Sequence, residues 1–186
     1  MLTLVLGSSS PRRKELLEMA GYNFTVRSAG IEEKIIGGSP EEVVRRLAEE
    51  KSRAISIRNN EVLLTADTVV VHGQRILGKP GDYEEAYNTL EELSGSVHEV
   101  LTAVTIRNSE EQSTLAVSTL VKFFSLTESE IQSYLECKEA WDKAGSYGIQ
   151  GKGGLFVESI EGDYYSVVGL PLSRVVRELR KFGVLL

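Results

Sequence analysis

An apolar run, Leu2-Thr3-Leu4-Val5-Leu6-Gly7, ends on Ser8-Ser9-Ser10-Pro11-Arg12-Arg13, and this junction constrains the chain most. The run reads as a first strand. Ser10 suits a helix N-cap, Pro11 suits the first helical position, and Gly21 ends a helix over 11–20. A helix start has unpaired N–H groups and a partial positive charge, so it attracts anions. Three hydroxyls and two guanidinium groups at that point suggest a phosphate seat. The same residues also suit a well-capped surface helix with solvated arginines.

The rest of the chain interleaves strands and helices. Phe24 to Ser28 is extended and leads into the loop Gly30-Ile31-Glu32-Glu33-Lys34. Ser39-Pro40-Glu41-Glu42 is a capping box that starts a helix running to about Ile57. Val62 to Val71 is a strand, turned at His72-Gly73-Gln74 into Arg75 to Lys79. Asp82 and Glu85 cap a third helix, which ends at Ser94-Gly95. Val97 to Arg107 and Thr114 to Phe124 are two long strands joined by a polar turn. Thr127 and Glu130 cap a fourth helix to about Cys137, and a glycine-rich loop spans Ala144 to Gly154. Leu155 to Ile160 is a strand, and Pro171 to Phe182 is the last helix. Hairpins among interleaved elements predict an α/β fold with a mixed twisted sheet flanked by helices. No Pro/Gly/Ser linker divides the chain. One domain over 1–186, with two lobes around a central cleft, is the expectation.

Composition narrows the function. A net charge of −6 argues against a general nucleic-acid binder, so any basic site is local. The one cysteine, Cys137, leaves no internal disulfide and no cysteine metal cluster, which fits a reducing compartment. No apolar run is long enough to span a membrane, and no signal peptide is expected at the N-terminus. Cytoplasmic localisation follows as an expectation.

Several polar residues stand in apolar places. In the helix from Pro40, the apolar positions include Val43, Val44, Leu47, Ala48 and Ile55. Lys51 lies four after Leu47 and four before Ile55, on the inward face. A buried ammonium is costly unless it is paired or lines a wet cavity. Lys51 is either a phosphate contact or a lysine snorkelling at the edge of the stripe. Asp67 interrupts the run from Leu63 to Val71. A carboxylate there is a candidate base or metal ligand, or a structural carboxylate bonded to a nearby turn. Thr68 beside it points to the opposite face of a regular strand. Lys79 sits between Gly78 and Pro80 at a strand end, where a ligand can approach the backbone. Gln150, between glycines, offers an amide that both donates and accepts, as reading a base edge requires. The loop around it matches neither the P-loop nor the dinucleotide fingerprint. His72 reads as a turn residue, and His98 has no ligand-spaced partner. Trp141 and Tyr164-Tyr165 read as packing. Carboxylates plus cations, with no nucleophile triad, favour metal-assisted phosphate chemistry.

These residues resemble the Maf family of nucleoside triphosphate pyrophosphatases over nearly the whole chain. The resemblance rests on Ser8-Ser9-Ser10-Pro11-Arg12-Arg13, Ala66-Asp67-Thr68-Val69-Val70 and Leu77-Gly78-Lys79-Pro80. It continues through Leu93-Ser94-Gly95 with His98, Val100-Leu101-Thr102, the segment from Asp142 to Gly151, and Val168-Gly169-Leu170-Pro171. Ser96 departs from the family pattern where a basic residue is usual, and Ala140 where proline is common.

The resemblance implies hydrolysis of a nucleoside triphosphate to the monophosphate and pyrophosphate, with a divalent cation, Mg²⁺ or Mn²⁺. It implies a fold similar to inosine-triphosphate pyrophosphatases, and a homodimer is a further expectation. Tyr147-Gly148-Ile149-Gln150-Gly151 is similar to the branch acting on dTTP and UTP, a house-cleaning activity on nucleotide pools. The resemblance makes Asp67 the proton acceptor and assigns Arg12, Thr68 and Gln150 to substrate specificity. It puts Ser8, Arg13, Glu33, Lys51 and Lys79 on the family's polar cleft positions. The expectation drawn from their charges is Ser8, Arg13, Lys51 and Lys79 at the phosphates, and Glu33 with Asp67 or a neighbour at the metal. Two other readings stand beside this one: the same chemistry on a modified purine such as 7-methyl-GTP or ITP, and a non-catalytic regulator of cell division.

Overall fold

A computed structural model describes residues 2–30 and 35–186. Glu33, expected at a metal, lies outside the described residues. Among the described residues seven strands form one mixed sheet: β1 (Thr3–Leu6), β2 (Phe24–Val26), β3 (Glu61–His72), β4 (Arg75–Leu77), β5 (Val97–Arg107), β6 (Gln112–Phe123) and β7 (Val157–Glu161). The sheet order is β2-β1-β3-β5-β6-β7, with β4 paired to β3. β1 runs parallel to β2 and β3, whereas β4 and β7 lie antiparallel to their neighbours. Among the described residues six α-helices accompany the sheet: α1 (Pro11–Met19), α2 (Pro40–Arg53), α3 (Tyr83–Leu93), α4 (Glu128–Glu136), α5 (Tyr164–Val168) and α6 (Leu172–Lys181).

The expected α/β mixture is what forms, with three local corrections. α2 ends at Arg53 instead of near Ile57, because Arg107 donates to the Ser52 and Ile55 carbonyls (2.9 and 2.6 Å) and closes the helix there. The strand expected from Leu155 begins at Val157, since Lys152–Phe156 coils into a 3₁₀ turn. α5 has no counterpart among the sequence-predicted elements. Its cap is Asp163, whose Oδ1 accepts from the Ser166 N–H at 3.1 Å.

The chain divides into two compact units. The first comprises Met1–Asp67, Thr102–Val117 and Gly169–Leu186, and the second Thr68–Leu101 and Ser118–Val168. In the first, α2 buries Val43, Val44, Leu47 and Ala48, and its Ala48 carbonyl accepts from the Thr65 hydroxyl of β3 at 2.8 Å. Gly7 ends β1 where a Cβ would stand 2.5 Å from the Thr65 methyl, so a larger residue would push strand and helix layers apart. Arg27 clamps Glu61 with two hydrogen bonds of 2.9 and 2.8 Å, tying the end of β2 to the start of β3. That hydrogen bonding holds the Glu61 carboxyl down at about 2. In the second unit the core gathers Val70, Leu77, Leu90, Phe123, Ile131 and Phe156.

Candidate active site

The first unit carries the turn into α1. Pro11 takes the first helical position as expected, and Ser10 occupies the N-cap, but its hydroxyl makes no capping bond. Ser8 organises the turn instead. Its buried hydroxyl accepts from the Ser10 N–H at 3.3 Å and from Arg13 Nη1 at 3.1 Å. Arg13 Nε donates to the Gly169 carbonyl at 2.8 Å, so this side chain braces the turn against the segment before α6. The first turn of α1 holds no acidic residue, whereas α2, α3 and α4 each carry two. The partial positive charge at the start of α1 therefore has no local carboxylate to offset it. Arg12 is half-buried at that start.

Lys51 and Asp67, the two polar residues out of place in the sequence, meet each other. Lys51 Nζ lies 2.9 Å from Asp67 Oδ1, with side chains 15% and 9% exposed. Pairing answers the burial problem that each residue posed alone. Neither the snorkelling lysine nor the carboxylate bonded to a turn describes the pair: Lys51 leans inward from α2 onto a carboxylate in the middle of β3.

The second unit carries Thr68, Lys79 and Gln150. Lys79 is exposed just beyond β4, and Gln150 is exposed in the glycine-rich loop. The loop is tied to the lysine's neighbour, because the Gly145 N–H donates to the Gly78 carbonyl at 3.1 Å. Gly145 has φ +70°, and a Cβ there would meet Val70 at 2.9 Å. Ser146 follows with φ +62°, a left-handed conformation that costs a non-glycine residue about 1–2 kcal/mol. Strain of this kind persists where surrounding contacts over-determine the backbone. After it, Tyr147 returns to extended geometry and the Gly151 N–H bonds the Gly148 carbonyl at 3.2 Å. Ile149 and Gln150 form the corners of that turn.

His98, left open by the sequence, supplies the anchor. Its Nε2 shares a hydrogen bond of 2.8 Å with the Tyr147 hydroxyl, and its ring stands edge-on to Phe123 and Tyr147 at 4.8 and 5.4 Å. Burial pushes the imidazole down to about 4 from 6.5, with His72 adding to the effect. The folded protein therefore holds His98 neutral where the unfolded chain takes up a proton. The difference costs no stability above pH 6.5 and grows as pH falls toward 4. At pH 5 the expected loss is about 2 kcal/mol relative to neutral pH. Urea unfolding of the wild type and His98→Gln across this range checks it, and only the wild type should show this leg of the pH dependence.

The donor set decides what cation could bind. Among the described residues no group of three or more His, Cys, Asp or Glu side chains stands ready for a metal. Asp67 offers hard carboxylate oxygen, while Glu33, the other expected ligand, lies outside the described residues. One or two carboxylates completed by substrate phosphates is the manner in which Mg²⁺ is usually held, so the residues fit such an ion and not an all-protein cage.

The model of the family described as Maf-like protein matches residues 3–182. A dTTP/UTP pyrophosphatase of Bacillus cereus (strain G9842) is 50% identical over 186 residues, covering 99% of this chain and 97% of the relative. A protein of the same description from Bacillus anthracis (strain CDC 684 / NRRL 3495) matches with the same identity and coverage. Among solved structures, a HAM1 protein from Coxiella burnetii superposes with a TM-score of 0.54 at 14% identity, covering 97% of this chain and 100% of the other. At that identity the likeness speaks for the fold alone, and it agrees with the expected mixed α/β arrangement. No helix among the described residues is long and apolar enough to cross a membrane.

Proposed function

The chain belongs to the Maf-like protein family, and from that membership we propose that it hydrolyses dTTP and UTP to the nucleoside monophosphate and pyrophosphate. The observation that carries the reading is the Lys51–Asp67 pair: a carboxylate kept inside an apolar strand, with an ammonium 2.9 Å away. A purely structural strand has no need of either group.

In this reading Asp67 takes a proton from a water molecule as its oxygen attacks the α-phosphorus. The bond from the α-phosphorus to the oxygen bridging to the β-phosphorus breaks, and pyrophosphate leaves with the electron pair. Lys51 holds Asp67 in place and adds positive charge beside the reacting phosphate. Arg12 and the backbone N–H groups at the start of α1 bind phosphate oxygens, and Lys79 supplies a further cation. Ser8 and Arg13 shape the turn that presents them: two of Arg13's nitrogens are occupied by Ser8 and Gly169. Gln150 and Thr68 read the pyrimidine. A Mg²⁺ or Mn²⁺ ion held by Asp67 and Glu33 would neutralise charge on the triphosphate.

A nucleotide panel with metal titration tests the proposal. Purified protein should release pyrophosphate from dTTP and UTP when Mg²⁺ or Mn²⁺ is added. Preference for 7-methyl-GTP or ITP would keep the chemistry and replace the substrate class. No turnover of any nucleotide by folded protein would sink the proposal.

A further inference from the structure

Two tyrosine hydroxyls grip the glycine-rich loop just ahead of Gln150. Tyr147 is buried, and its hydroxyl meets His98 Nε2 at 2.8 Å. The hydroxyl of Tyr134, from α4, accepts the Gly148 N–H at 3.3 Å. Phe123 packs edge-on against Tyr147 at 4.7 Å, and Phe156 against Tyr134 at 5.0 Å. Phenylalanine would fill either tyrosine's place in such a cluster, so packing alone does not explain the hydroxyls. Packing does not explain His98 either. Its Nδ1 is buried with no hydrogen-bond partner among the described residues, a cost that an apolar side chain would avoid. The two gripped residues, Tyr147 and Gly148, lead directly into the turn closed by Gly151 N–H on Gly148 O, and Gln150 sits at its second corner.

We propose that His98 is a positioning residue for nucleotide recognition, acting through its hydrogen bond to Tyr147 to fix the Gly148–Gly151 turn and so the direction of the Gln150 amide. The inference rests on the reading of Gln150 as the group that meets the base. An amide must present its donor and acceptor at a set angle to tell one base edge from another. A turn free to rock would leave the base bound loosely while the phosphate chemistry, carried by other residues, continued. The clamp therefore acts on KM and on discrimination between nucleotides, with little effect on kcat.

A double-mutant cycle tests this, read as steady-state pyrophosphate release from dTTP, UTP and CTP. Tyr147→Phe should raise KM for dTTP and UTP by about fivefold, the scale of one hydrogen bond, with kcat held within about twofold. His98→Leu should match it, and His98→Gln, which keeps a polar group facing the hydroxyl, should recover part of the loss. Gln150→Ala should raise KM further, and adding Tyr147→Phe to it should change nothing more. Tyr134→Phe, which removes the acceptor for the Gly148 N–H, gives the same cycle should Tyr147→Phe fail to fold. Additive effects of Tyr147→Phe and Gln150→Ala, or a loss confined to kcat, would overturn the clamp and leave the Gln150 reading standing. A Gln150→Ala protein with unchanged KM would overturn both.

Discussion

Asp67→Asn is expected to lower turnover of dTTP by about 10²–10⁴-fold, the usual contribution of a positioned general base. The amide has nearly the shape of the carboxylate, so the strand around it, from Leu63 to Val71, keeps its packing. It cannot accept the proton of an attacking water. Saturating Mg²⁺ offsets the loss of one carboxylate from the expected metal position, so under that condition the loss should appear chiefly in kcat. Steady-state pyrophosphate release, with a thermal melt to confirm folding, measures it. A variant that keeps near-normal kcat would take the base role away from Asp67.

Lys51→Met is expected to damage stability as well as activity. Methionine matches the aliphatic stem of lysine and keeps the inward face of α2 filled beside Leu47 and Ala48. It leaves the Asp67 carboxylate without its ammonium in a site where that carboxyl is 9% exposed. Breaking one side of a buried pair costs about 3–5 kcal/mol, and the 15% exposure of Lys51 points to the lower end of that range. The double variant Lys51→Met/Asp67→Asn also removes the carboxylate's charge and should regain much of the stability while remaining inactive. Urea unfolding of the four proteins, with kcat for each, separates the two effects. A double variant no more stable than Lys51→Met would show that the pair does not govern the loss.

What the sequence made legible, and what it did not, follows from the range of the interactions involved. The helix starts were readable because capping is local: Ser39 with Glu42, and Thr127 with Glu130, form both bonds of the expected box. Lys51 and Asp67 were readable as misfits because helical and strand periodicity say which face a residue takes. Their pairing was not, since it spans two elements and depends on where α2 crosses β3. The end of α2 was missed for a similar reason, as its stop comes from Arg107, far along the chain on β5. α5 was missed because Tyr164-Tyr165 favours strand over helix by propensity, and a single Asp163 cap outweighs it. His98 and Tyr147 are 49 residues apart, and only the fold brings them together. His98 carries the same sequence signal as Asp67: a polar residue on the inward side of a strand.

The measurement that bears most directly on the central claim follows the oxygen. Turnover of dTTP in ¹⁸O-labelled water, with products resolved by mass spectrometry, reports which phosphorus is attacked. Attack at the α-phosphorus predicts one ¹⁸O in thymidine monophosphate and unlabelled pyrophosphate. Label in pyrophosphate, or release of orthophosphate with a diphosphate product, would contradict it.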